Sequence, residues 1–178
     1  IRSALLECLQ IFAYRQQFFL QEKLPKLFEI ITAMLRDSQP EVRQMASITL
    51  SGFLKISSTD YSKKLIPEFQ EKATKPKKTT NDKLPKESID RHSGILGLSA
   101  VALAFPYSIP DFMPEMLVFL AKFSNDSVQS IRETVKKTFQ EFIKCHSDMW
   151  QIHEMKFTED QLRTLHDLFQ TSSPSYYA

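Results

Sequence analysis

The residue types able to do chemistry are few, and their spacing does not suit it. Histidines stand at His92, His146, His153 and His166. No two sit four apart with a glutamate between them, the arrangement that brings two imidazoles and a base together over zinc on one helical face. Cys145 and His146 are adjacent, but no second Cys or His follows at ligand spacing. Histidines near helix ends, complementing the dipole, account for them more simply. Gly94-Ile-Leu-Gly97-Leu-Ser99 does not form the Gly-x-Ser-x-Gly elbow of a serine nucleophile. Its glycines fit close packing of an apolar helix instead. Glu159 and Asp160 open a predicted helix, where carboxylates compensate the dipole. These patterns predict a chain that is not an enzyme and holds no metal and no cofactor.

Two other groups of residues are suited to binding. Lys72, Lys75, Lys77, Lys78, Lys83 and Lys86 crowd one loop, and Lys75-Pro76-Lys77-Lys78 has the form of a short nuclear-import tract. A solvated insertion held open by self-repulsion, or a contact to a polyanion, fits the same residues. No aromatics interleave there to stack on bases. Lys+Arg 23 against Asp+Glu 21 gives a net charge of +2, too balanced for a dedicated nucleic-acid binder. Direct nucleic-acid binding is not expected. The second group is the ending, Ser175-Tyr176-Tyr177-Ala178. Residues 171–178 have no periodicity and read as a flexible tail. Eight residues reach roughly 26 Å when extended. A ring buried on another molecule is worth about 1.5–3 kcal/mol, and a terminal carboxylate bonded to a lysine about the same.

The elements that must position these groups are helical. Apolar residues recur at three- and four-residue steps, as in Leu5, Leu6, Leu9, Phe12 and in Leu27, Phe28, Ile31, Met34. Strand alternation and Asn-Gly or Asp-Gly hairpin turns are absent from the sequence. Gly occurs 3 times in 178 residues, which leaves little room for phosphate-binding glycine loops. The longest apolar stretch, Gly94 to Phe105, is interrupted by Ser99 and falls short of the about 20 residues that span a membrane. No membrane partner is expected. Two cysteines, Cys8 and Cys145, do not make a disulfide framework, and a reduced setting is the natural reading. The chain opens at Ile1 within a helical pattern, as expected of a segment of a longer protein.

Internal repetition organises the helices. Displacing the sequence by 89 residues lays Pro25 on Pro114, Asp37 on Asp126, Arg43 on Arg132 and Phe53 on Phe142. Arg2, Arg43, Arg91 and Arg132 each precede small or apolar residues at +3, +7 and +10. Their spacing is 41, 48 and 41 residues. A two-helix period in the forties predicts an all-α solenoid of HEAT- or armadillo-like helix pairs. The expected map is a second helix of a truncated repeat over 1–14, then a repeat over 17–56. Another spans 60–104, with the Lys-rich insertion at 72–86, and a third spans 113–145. A capping segment over 146–170 holds Trp150, Met155 and a capping box at Thr158-Glu-Asp-Gln161. The tail over 171–178 follows.

Asp37-Ser-Gln-Pro-Glu-Val-Arg43 and Asp126-Ser-Val-Gln-Ser-Ile-Arg132 resemble the inter-helix turn of HEAT repeats. Ser38 with Glu41 is expected to form a capping box ahead of Pro40. The Asp37/Arg43 and Asp126/Arg132 pairs fit either a charge ladder between repeats or plain surface solvation. Pro85 takes the aspartate position before Arg91, so a ladder would break there. Repeats of this kind ending in hydrophobic-Tyr-any resemble the C-terminal region of the large HEAT-repeat proteasome activator family (subunit 4 of the activator complex). That resemblance implies an ATP- and ubiquitin-independent activator that docks on α-subunits of the proteasome core particle and opens its gate. Tyr176 would be the hydrophobic position, Tyr177 the tyrosine acting on the gating turn, and Ala178 the carboxylate pairing with a pocket lysine. It also implies recognition of acetylated histones through a bromodomain-like region, and residence in nucleus and cytoplasm. Asn81 and Asn125 are the only asparagines available to anchor an acetyl group, and the sequence assigns no acetyl-lysine residue. A chromatin reader and an inert HEAT scaffold remain the alternatives.

Overall fold

A computed structural model describes residues 1–15, 21–75 and 86–170. All regular structure among them is helical, and the chain divides into two compact units between Ala104 and Phe105. In the first unit the α-helices are α1 (Arg2–Arg15), α2 (Leu24–Met34), α3 (Pro40–Lys55), α4 (Thr59–Ala73) and α5 (Lys86–Ala102). In the second they are α6 (Met113–Ala121), α7 (Gln129–His146), α8 (Trp150–His153) and α9 (Glu159–Gln170), with short 3-10 turns on either side of α8.

In the first unit, α1, α3 and α5 lie side by side, α2 packs on α3, and α4 packs on α5. The reason is the spacing of apolar residues. Leu24, Phe28 and Ile31 form the buried edge of α2, and Val42, Ala46, Leu50, Phe53 and Leu54 form that of α3. Phe28 meets Phe53 edge-on at 6.4 Å and stacks on Tyr61 of α4 at 4.7 Å. Between α1 and α3 the seam is partly polar, with Gln10 Nε2 donating to Thr49 Oγ1 at 2.9 Å. α5 is the central element. It is buried on every side from Asp90 to Ala102, which is why it lacks a polar face. Its serines satisfy themselves locally, Ser93 on the Asp90 carbonyl at 2.7 Å and Ser99 on the Ile95 carbonyl at 2.8 Å.

The turn between paired helices is built differently from the expected capping box. Gln39, not Ser38, is the residue preceding α3, and its side chain makes no cap. Asp37 Oδ1 instead accepts the Gln39 N–H at 2.9 Å. Arg43 Nη1 reaches back to the Asp37 and Ser38 carbonyls at 2.7 and 3.1 Å. The second unit repeats this. Asp126 Oδ1 accepts the Val128 N–H at 2.9 Å, and Arg132 Nη1 donates to the Asp126 carbonyl at 2.6 Å. Both arginines therefore close their own turn through its carbonyls. One rung between repeats does form, from Arg2 Nε to Asp37 Oδ2 at 2.8 Å. Arg91 Nε lies 3.4 Å from the Ala73 carbonyl, at the end of α4. Pro85 lies outside the described residues.

Gly94 and Gly97 let α4 and α5 approach closely. A Cβ on Gly94 would stand 2.5 Å from the Ala73 nitrogen and the Phe69 carbonyl oxygen, both backbone. On Gly97 it would stand 2.5 Å from the ring of Phe69, which is itself fully buried. Around Gly52 nothing lies within 4 Å. Gly94→Ala is therefore expected to lower stability by about 1–3 kcal/mol through overpacking. Gly52→Ala is expected to raise it by up to about 1 kcal/mol through helix propensity. Urea midpoints of the two variants check the pair, and equal shifts would contradict the packing.

His92, 2 % exposed, gives the first unit a pH dependence of known sign. Burial, and then the charge on Arg43, push its pKa down to about 4. Above about 6.5 the ring is neutral in both folded and unfolded chains, and it contributes no pH dependence. As pH falls from there towards 4 only the unfolded chain takes up the proton, and stability drops by about 3 kcal/mol in all. Equilibrium unfolding across that window should show the decline, and His92→Gln should remove this part of it. An unchanged slope in the variant would contradict the assignment.

Candidate functional site

The end of the described chain is a helix held on an aromatic cluster. Thr158 and Gln161 start α9 with a reciprocal cap. The Thr158 N–H donates to Gln161 Oε1 at 2.9 Å, and the Gln161 N–H to Thr158 Oγ1 at 3.3 Å. Leu165 and Phe169, four apart, are the buried residues of α9. Phe169 is the centre of a ring cluster: Trp150 at 5.2 Å edge-on, Phe139 at 5.9 Å, Phe142 at 6.3 Å and Phe157 at 6.4 Å. Aromatic pairs at these separations add about 0.5–1.5 kcal/mol each beyond burial. The segment linking α7 to α9 is tied down from below. His146 is buried, with its ring nitrogens 2.7 Å from the Phe142 carbonyl oxygen and 2.9 Å from that of Phe105. His153 packs edge-on against it at 5.0 Å. Burial, then the neighbouring His146, lower the His153 pKa against a hydrogen bond with the Tyr107 backbone. Residues 171–178 thus follow directly from a firmly seated helix.

Tyr176, Tyr177 and Ala178 lie outside the described residues. So do Pro76, Lys77 and Lys78 of the basic tract. Lys75 is described, and its ammonium lies 3.1 Å from Asp90 Oδ2. The same carboxylate receives Arg36 Nε at 2.6 Å. Burial alone would raise the Asp90 pKa, but the two cations outweigh it and hold the group below the usual carboxylate range. The root of the Lys-rich loop is therefore ion-paired to α5. No pattern in the chain announces this cluster, because Arg36, Lys75 and Asp90 converge only when α2, α4 and α5 are packed.

An open groove of about 740 Å³ runs between α6, α7 and α9. Val118, Ala121 and Leu168 supply its apolar surface, and Lys122, Arg132 and Lys136 its cations. Asn125 is exposed on its rim, in the turn between α6 and α7, and Asn81 lies outside the described residues. Periodicity could not reveal this groove, because its walls come from three helices distant in sequence. Cys8 and Cys145 are exposed thiols. Among the described residues no three His, Cys, Asp or Glu gather closely enough to hold a metal ion, and no helix is long and apolar enough to cross a membrane.

Known protein families match the chain in two stretches. A HEAT-repeat family model matches residues 27–57, the stretch of α2, the Asp37–Arg43 turn and α3. The family described as "Proteasome activator complex subunit 4-like, C-terminal" matches residues 88–178, from the start of α5 onward. Proteasome activator complex subunit 4A of Danio rerio is 38% identical over 99% of this chain and 10% of its own length. Proteasome activator complex subunit 4 of Homo sapiens is 40% identical over 84% of the chain and 8% of its own length. Proteasome activator subunit 4 of Arabidopsis thaliana is 35% identical over 100% of the chain and 10% of its own length. The chain thus spans at most 10% of these relatives. With the family match covering more than half of its residues, helices throughout the described residues and the HEAT turn in its first unit, the chain belongs to the proteasome activator complex subunit 4-like family, in its C-terminal region.

Proposed function

We propose that this chain forms the C-terminal end of a proteasome activator and docks the parent protein on the core particle through residues 176–178. The observation that supports the reading is the Tyr176-Tyr177-Ala178 ending of the sequence, a short stretch beyond α9, whose Phe169 is surrounded by four rings. A rigid root matters because it fixes the volume that a short tail can search, and so raises its local concentration at a receiving pocket. Tyr176 supplies apolar contact, Tyr177 acts on the gating turn, and the Ala178 carboxylate pairs with a lysine between two α-subunits. Opening the gate then requires the tail to bind the open arrangement better than the closed one. The family names of the relatives support the role of activator.

Losing the buried tyrosine should remove about 1.5–3 kcal/mol of docking energy, or about 10- to 150-fold in affinity. Tyr177→Ala in the full-length parent is accordingly expected to abolish stimulation of core-particle peptidase activity at concentrations that saturate the parent, while helicity stays unchanged. One residue added after Ala178 should act likewise, by displacing the carboxylate. Full stimulation by either variant would refute the tail mechanism and favour an inert terminus.

A further inference from the structure

The groove beside α9 carries three cations, Lys122, Arg132 and Lys136, against two carboxylates, Glu133 and Asp167. Each carboxylate has a local contact: Glu133 Oε1 accepts from Gln129 Nε2 at 2.6 Å, and Asp167 Oδ1 lies 3.3 Å from His166 Nδ1. Arg132 donates to the Asp126 carbonyl. Lys122 and Lys136 flank the groove and are exposed, and neither has a carboxylate partner among the described residues. Lys122 rests over the Phe119 ring at 5.7 Å. Between them lies the apolar surface of Val118, Ala121 and Leu168. Two unpaired ammonium groups beside an apolar strip suit a short peptide that carries both a carboxylate and large side chains. The volume, about 740 Å³, falls within the roughly 300–1,000 Å³ typical of sites that enclose small ligands.

Such a peptide is attached to the groove itself. Thr164, Asp167 and Leu168 of α9 form one wall, and the chain leaves α9 at Gln170, two residues beyond Leu168. Residues 171–178 then extend up to about 26 Å, enough to turn back along the groove. They carry Tyr176, Tyr177 and the terminal carboxylate, and no charged side chain to oppose the lysines. Tethering matters energetically. A short flexible link gives a local concentration in the millimolar range, so even a millimolar site is about half filled.

We propose that the groove between α6, α7 and α9 is a docking site for the chain's own residues 171–178, with the Ala178 carboxylate between Lys122 and Lys136. This rests on the reading of those residues as a working tail, and it adds a regulatory step. The free activator holds its tail in cis and releases it when the core particle offers a better pocket. Cis docking lowers the apparent affinity for the core particle by the fraction of tail left free.

Carboxypeptidase trimming reads tail release directly. The 178-residue chain and its Lys122→Ala/Lys136→Ala variant are digested at low salt, and release of Ala178 is followed by intact mass. Both lysines are exposed, so the variant should keep its fold, and circular dichroism checks this. Trimming should run about twofold faster or more in the variant, and raised salt should speed the parent chain alone. Equal rates would overturn the proposal. Protection that grows with protein concentration would also overturn it, because the tail would then sit on a second copy. The two readings separate cleanly. Lysine-dependent trimming in a protein whose Tyr177→Ala variant still stimulates peptidase activity would leave the groove and remove the gating role. Lysine-independent trimming with Tyr177-dependent stimulation would do the reverse.

Discussion

Apart from α5, which is buried on every side, these helices have a buried face that none can cover alone, so the fold depends on fixing how a helix meets its partner. The turn aspartate and its arginine do this. One aspartate serves twice: the carboxylate accepts the N–H two residues on, and the carbonyl receives the arginine six residues on. The geometry recurs at Asp37/Arg43 and Asp126/Arg132, with Arg–carbonyl distances of 2.7 and 2.6 Å. A hydrogen bond from a charged donor is worth about 1.5–3 kcal/mol, comparable to a large fraction of the stability a two-helix unit can have. With the turn fixed, Phe28 meets Phe53, and Ile131, Val135 and Phe139 are held on the buried face of α7.

Lateral packing in the first unit is then a matter of clearance and charge. α4 and α5 touch along glycine, where a methyl group would strike backbone. α1 and α3 join through Gln10, Thr49 and the Arg2–Asp37 pair. Asp90 gathers Arg36 and Lys75 onto one carboxylate at the head of α5. A buried carboxylate with two cations is tolerable only while both remain, so the base of the Lys-rich loop is tied to the core rather than loosely attached.

How much of this is legible in the sequence depends on range. The arginine spacing and the residues at +3, +7 and +10 announce paired helices, because that periodicity is set by one helix facing one neighbour. Gly94 and Gly97 announce close packing for the same reason. The Ser38–Glu41 capping box is the wrong expectation. Asp37, one residue earlier, offers a stronger acceptor and leaves Gln39 in the extended conformation that precedes α3. The charge ladder is half right: Arg2 reaches Asp37, whereas Arg43 and Arg132 are drawn to the carbonyls of their own turns. The Arg36–Asp90–Lys75 cluster, the rings around Phe169 and the groove could not be read, since each joins residues from three or more segments. Lys75–Lys78 and the tail are visible only as residue types, and their partners lie beyond pattern.

A segment that follows a seated helix in sequence and carries two tyrosines is useful to the extent that its destination changes. If the two proposals hold together, that destination would be the groove beside α9 in the free protein and an inter-subunit pocket once the core particle is bound. A photoreactive benzoylphenylalanine at position 176 of the full-length parent tests this exchange most directly, with adducts mapped by mass spectrometry. In the free protein, cross-links are expected on α6, α7 or α9, giving way to cross-links on core-particle α-subunits when the particle is added. Adducts that never reach the core particle, under conditions where it is stimulated, would contradict the exchange.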